Sequence, residues 1–175
     1  MGRLGDSLQR LHEGVGFQMD EVMTGEHEFE PGFGPPGRRK LEFRVTWGPK
    51  NVVRWAKPGG ADFLRQPLSG TLTVEGLCES AACTGTLELR YFDEHKIRYA
   101  FDFEAGGRRL RFVGEKVNIR PWNLHVSHTT CYGRITEVET DKLVSTSVTH
   151  FRLASLPHFL LSLRLTSDDD PTTPA

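Results

Sequence analysis

Along most of this chain apolar and polar residues alternate one for one. Between Leu41 and Trp47, Leu41, Phe43, Val45 and Trp47 fall on one face and Glu42, Arg44 and Thr46 on the other. A period of two marks a half-buried strand. The rhythm recurs from Val15 to Glu28, where Phe17, Met19, Glu21 and Met23 share a face, so a carboxylate points the same way as three apolar side chains. Leu68 to Leu77 repeats it with Leu68, Leu72 and Val74 inward. Gly70 and Gly76 lie on that same face and leave room for a bend, a bulge or a ligand. Gly85, Leu87, Leu89 and Tyr91 alternate next, then Ile97, Tyr99, Phe101 and Phe103. Asp93-Glu94-His95 between them reads as a hairpin turn. Leu110 and Phe112, then Cys131, Gly133 and Ile135, then a Val- and Thr-rich run from Leu143 to Arg152 continue the pattern.

Between these runs lie turn-forming stretches. Glu30 to Lys40 is dense in Gly and Pro, Gly48-Pro49 ends one strand, and Glu79 to Thr84 reads as a loop. Val52, Val53 and Trp55 begin a short helix or an edge turn. Leu4, Leu8 and Leu11 predict a short helix over about 4–13, capped by Asp6. Past Ser155 the period changes: Leu156, Phe159, Leu160 and Leu163 predict an amphipathic helix packed on the core. An acidic tail over 167–175 follows, disordered by composition. About eight consecutive strands joined by short turns, with no βαβ alternation, call for an antiparallel sheet. Curling and closure remove its exposed edges. The expected fold is therefore a single mainly-β domain over 1–166. It is an up-and-down antiparallel barrel or strongly curled sheet, lipocalin-like, with a two-sheet sandwich as the alternative.

Composition narrows the function. The 175 residues carry a net charge of −1, which argues against nucleic acid as a main partner. The local clusters Arg38-Arg39-Lys40 and Arg108, Arg109 and Arg111 read as solvated strand ends rather than phosphate grips. No apolar run approaches the roughly 20 residues of a membrane span. The N-terminal residues lack the apolar core of a secretory signal, so a cytoplasmic location is expected. The three cysteines are too few for a disulfide framework, and Cys78 and Cys83 read as free thiols in a reducing compartment.

Candidate chemistry concentrates between Phe112 and Arg134. Glu115 and Lys116 are adjacent and face opposite ways on a strand, so they do not pair. If Lys116 faces inward with Gly114, it is a buried cation in need of a carboxylate, and Glu21 is the candidate. Such a lysine can act as base or nucleophile when desolvated, or form a structural ion pair. His125 and His128 stand three apart, which splits them across a strand, so no metal site is expected. No nucleophile elbow or phosphate loop is present. The candidate catalytic groups are Glu21, Lys116 and His128.

The inward aromatics support a second possibility. Phe43, Trp47, Tyr99, Phe101 and Phe112 offer walls for a hydrophobic ligand, while Lys116, Trp122, His128 and Thr130 at the mouth orient its polar group. A packed barrel in which the same aromatics are core, serving as an interaction module, is the competing possibility. An isomerase- or cyclase-type enzyme is a third.

Several short motifs occur in a fixed order. Glu21, Met23 and Gly25 form Glu-x-Met-x-Gly, and Leu68-Ser69-Gly70-Thr71 opens a strand. Ile97-Arg98-Tyr99 leads to Phe103, Gly114, Lys116 and Val117 form Gly-x-Lys-Val, and Trp122 precedes Thr129-Thr130. In these the chain resembles the accessory β domain that accompanies bacterial cholesterol-oxidase-like, flavin-dependent GMC oxidoreductases. The resemblance spans about the middle two-thirds of the chain, with His128 standing where the family has Asp. No Gly-x-Gly-x-x-Gly flavin segment is present, so no cofactor is expected. The resemblance implies a lipid- or sterol-associated module, with a separately encoded oxidoreductase as a possible partner.

Overall fold

Eight antiparallel strands, each bonded to the next in the chain, close into a barrel because the first pairs with both the second and the eighth. The structure, a computed structural model, describes residues 14–119, 129–151 and 156–167. The strands are β1 (Val15–Phe29), β2 (Arg39–Trp47), β3 (Arg65–Val74), β4 (Cys78–Arg90), β5 (Lys96–Ala105), β6 (Arg108–Lys116), β7 (Thr130–Glu137) and β8 (Leu143–Phe151). Closure rests on the length of β1. Met19–His27 pairs with β2 along one edge, while Met23–Phe29 pairs with β8 along the other. The overlap leaves neither β2 nor β8 with an open edge along this seam, as barrel closure requires.

The inward faces are those the alternation marks. Met23, Leu41, Phe43, Leu72, Leu87, Tyr99, Phe101, Leu110, Phe112 and Ile135 are all buried. At Gly70 the expected room inside is taken by backbone. A Cβ there would lie 2.0 Å from the Arg44 carbonyl oxygen, so the glycine allows β2 and β3 to coil tightly together. The outward faces are charged and paired. Asp102 bridges Arg109 (2.8 Å) and Arg111 (2.6 Å), and Arg108 meets Glu137 at 2.8 Å. The bond from Arg111 holds the Asp102 carboxyl below its usual range. Arg38 and Arg39 face Glu26 and Glu75 at 3.8 and 3.4 Å. These arginines, basic in sequence, are thus matched by carboxylates in space.

Two expectations are corrected. Residues Glu79–Thr84 are strand rather than loop. β4 begins at Cys78, and Ala82 and Cys83 pair with Thr71 and Gly70 of β3 after a bulge between Leu72 and Val74. Small, weakly patterned side chains (Ser80, Ala81, Ala82) conceal a strand whose stability comes from its two neighbours. The C-terminal amphipathic helix is not formed as expected. Helix α2 spans only Leu156–Leu161, and the chain returns to strand in β9 (Arg164–Ser167), which pairs with Val15–Gln18 of β1. Leu160, Leu161, Leu163 and Leu165 are exposed rather than packed on the core. The unpaired N-terminal part of β1 offers hydrogen bonds that a surface helix cannot use, and β9 takes them. Ser167, assigned by composition to the tail, ends that strand. Between β2 and β3, α1 (Val52–Ala56) is a short helix whose first turn is capped by Asn51, accepting from the Arg54 amide at 2.9 Å. The expected N-terminal helix and the remainder of the acidic tail lie outside the described residues.

The interior also holds polar residues. On β8, Ser145, Ser147 and Thr149 point inward and are buried while Val148 is exposed, the reverse of the usual preference. Ser145 explains part of this. Its hydroxyl, with one proton to share, lies 2.9 Å from both His27 Nδ1 and the Glu28 carbonyl, while His27 Nε2 lies 3.1 Å from the Glu75 carbonyl. A carbonyl only accepts, so Nε2 carries the proton and neutral His27 leaves Nδ1 as the acceptor. Burial lowers the His27 pKa below 6.5 despite the partly opposing Glu75 contact. A neutral ring is therefore favoured in the fold, and its contribution to stability is complete above pH 6.5 and lost as pH falls through the folded value. The urea midpoint should fall between pH 7.5 and 5.5 in the native protein and fall less in His27→Asn. Equal slopes for the two proteins would remove His27 as the cause.

Candidate functional site

The inward positions nearest one end of the barrel bring together residues from five strands. Glu21 lies midway along β1, two residues before Met23, where pairing with β8 ends; Trp47 ends β2, Tyr99 is near the start of β5, Lys116 ends β6 and Phe151 ends β8. Antiparallel order places all of these at the same rim. Just beyond it, Ile119 is buried and donates its amide to the His95 carbonyl at 2.8 Å, tying the end of β6 to the β4–β5 turn.

Inside this rim is an ion pair. Lys116 Nζ donates to Glu21 Oε1 at 2.7 Å, with both side chains 5% exposed. Lys116 is reached because Gly114 and Lys116 alternate inward from Phe112, as the spacing predicts. The carboxylate takes further donors. The Tyr99 hydroxyl lies 3.1 and 2.9 Å from its two oxygens, and Trp47 Nε1 donates to Oε2 at 3.1 Å. Each Glu21 oxygen thus has a donor of its own and shares the Tyr99 hydroxyl, which is what an ion needs when removed from water. The ammonium is treated differently. Among the described residues Glu21 is its one hydrogen-bond acceptor, and its other sides meet the Tyr99 ring at 5.2 Å and the Phe151 ring at 6.0 Å. Cation–π contact offsets part of its lost hydration.

Cys131 on β7 and Thr149 on β8 are paired in register and complete the polar face beside Lys116. Cys131 is buried, and its thiol is pushed up to about 12 by burial, which the nearby Lys116 only partly offsets. It stays a thiol at neutral pH and is not an activated nucleophile. Thr149 Oγ1 is buried with no nitrogen or oxygen partner, and the Cys131 thiol gives it only a weak contact. Burial followed by the Glu21 charge raises Tyr99 well above 10 and takes Tyr91 to about 12, so both phenols remain protonated.

Of the residues singled out in the sequence, Glu21, Lys116, Tyr99 and Trp47 come together. Phe43, Phe101 and Phe112 instead pack on one another deeper in the barrel, with centroids 5.6 Å (Phe43–Phe101), 5.4 Å (Phe43–Phe112) and 4.8 Å (Phe101–Phe112) apart. Phe43 also touches Tyr99 at 5.7 Å, so the aromatic core forms the floor beneath the ion pair. Thr130 is turned to the outer face, where its hydroxyl lies 3.2 Å from His150 Nδ1, and it does not join the cluster. Trp122, His125 and His128 lie outside the described residues. The sequence reading missed Cys131, Thr149 and Phe151 as members. Cys131 was findable, since it shares the inward phase with Gly133 and Ile135, whereas the polar inward face of β8 resembles an ordinary outward one. Among the described residues no three His, Cys, Asp or Glu are grouped so as to hold a metal ion, and all three cysteines are free.

No protein-family model matches this chain, and comparison with curated proteins and with solved structures likewise yields no match.

Proposed function

We propose that this barrel binds a hydrophobic small molecule, lipid- or sterol-like in size and polarity, at the rim built by Glu21, Tyr99, Trp47 and Lys116. The observation that carries the reading is a buried ammonium that makes a single hydrogen bond among the described residues. A buried donor without an acceptor costs about 1–3 kcal/mol, more when charged, so a site of this kind gains when an acceptor atom arrives. Phe151 and Trp47, both only partly buried, supply apolar surface beside it, and the Phe43–Phe101–Phe112 core beneath it forms a fixed floor. A ligand burying on the order of 400 Å² of apolar area gains roughly 10 kcal/mol, enough for about micromolar affinity after association costs.

An acid–base enzyme of isomerase or cyclase type draws less support from the same residues. A general base is weakened by donors that stabilise its charge, and Glu21 already accepts from Lys116, Tyr99 and Trp47. A nucleophilic lysine needs its nitrogen free, and Lys116 Nζ is engaged with Glu21 at 2.7 Å. Glu21 therefore orients Lys116, and Lys116 meets the ligand. Titration with Nile red, an uncharged environment-sensitive dye, should saturate at one equivalent and be displaced by nonfluorescent lipids. A folded protein that shows no saturable binding would refute the proposal.

A further inference from the structure

The geometry points to an uncharged oxygen acceptor, a ketone or similar carbonyl, as the polar group this rim selects, and to exclusion of carboxylates. This rests on the binding reading above and specifies its ligand class. The charges of the cluster are one ammonium and one carboxylate at 2.7 Å, so they cancel before any ligand enters. A second carboxylate would introduce an uncompensated buried charge beside Glu21, and burying an unpaired charge is strongly unfavourable. The groups that could answer such a charge are neutral. The Cys131 thiol and the Tyr99 phenol both keep their protons, and the phenol is already committed to Glu21.

The unmet demand of the site is for an acceptor. Among the described residues Lys116 Nζ has one acceptor, and the buried Thr149 hydroxyl has no nitrogen or oxygen partner. A carbonyl oxygen carries two lone pairs and no charge, which fits donors of this kind. The β6–β7 ladder, followed one step past Glu115↔Tyr132, sets Lys116 opposite Cys131, and Cys131 is paired with Thr149, so the two donors flank the same thiol across β6, β7 and β8. A primary amine ligand is disfavoured for the same reason as a carboxylate, since its ammonium would add an uncompensated buried charge beside Lys116.

The inference is tested with three straight-chain probes of equal carbon number: a methyl ketone, the carboxylic acid and the saturated hydrocarbon. Each is used at pH 8 to displace Nile red from the native protein. The ketone should bind at least ten-fold more tightly than either of the others. In the double variant Glu21→Leu with Lys116→Met, which removes both charges together, that preference should vanish while displacement by the hydrocarbon persists. A carboxylate that binds as tightly as the ketone would overturn the choice of ligand class and leave hydrophobic binding standing. A hydrocarbon equal to the ketone in the native protein would show that the spare donors are not used, and would also overturn it. Failure of all three probes to displace the dye would count against the binding reading itself.

Discussion

Replacing Lys116 by Met, or Glu21 by Leu, should each lower the unfolding free energy by about 3–5 kcal/mol, while replacing both together should restore most of that loss. The magnitude follows from where the two charges sit. Each side chain is 5% exposed, and among the described residues its one charged partner at hydrogen-bond distance is the other. Removing Lys116 leaves a buried carboxylate held by only Tyr99 and Trp47, and removing Glu21 leaves an ammonium facing two aromatic rings. Either product is an uncompensated ion in a medium that solvates it poorly. The double variant has no ion left to strand, and Met with Leu approximates the volume lost. Urea unfolding of the four proteins gives a double-mutant cycle, and its coupling term should be large. Single variants that lose under about 1 kcal/mol, or a cycle with no coupling, would mean that the pair is hydrated in solution.

Phe112→Ala should cost about 3–5 kcal/mol, as expected for emptying a large site in a core that cannot collapse. The ring is fully buried, stacked on Phe101 at an interplanar angle of 18° and tilted against Phe43. It also occupies the space of two absent side chains. A Cβ on Gly114 or on Gly133 would come within 2.6 Å of it. The ring is thus enclosed by the backbones of β6 and β7, and a barrel wall bonded on both sides has little freedom to move inward. Phe92→Ala is the control. That ring is 74% exposed and its loss should change stability by no more than about 0.5 kcal/mol. Similar urea midpoints for the two variants would indicate that the Phe112 site refills or was never closely packed.

Much of the barrel was legible because alternation is a local property. Each inward run, such as Phe43 and Val45 or Tyr99, Phe101 and Phe103, reports which side of a strand faces the core without reference to its neighbours. The ion pair was legible for the same reason: Glu21 and Lys116 occupy apolar phases of their strands, where a charge requires a partner. What failed was information stored in neighbours. Ala81 and Ala82 carry little pattern, and their strand exists because β3 and β5 flank it. Leucines at helical spacing after Ser155 gave way to β9 because β1 had an edge to fill.

By itself, then, the amino-acid sequence marked most of the strands and their inward faces, and named Glu21 as the candidate partner if Lys116 faced inward, since these follow from side-chain period and the cost of burying an ion. Only the tertiary structure decided how the barrel closes, because one long strand pairing on both edges is a property of register. It alone decided that Phe43, Phe101 and Phe112 pack on one another while Tyr99 and Trp47 turn to Glu21. It alone set Cys131 and Thr149 beside Lys116, since ladder registry places residues distant in the chain at one level.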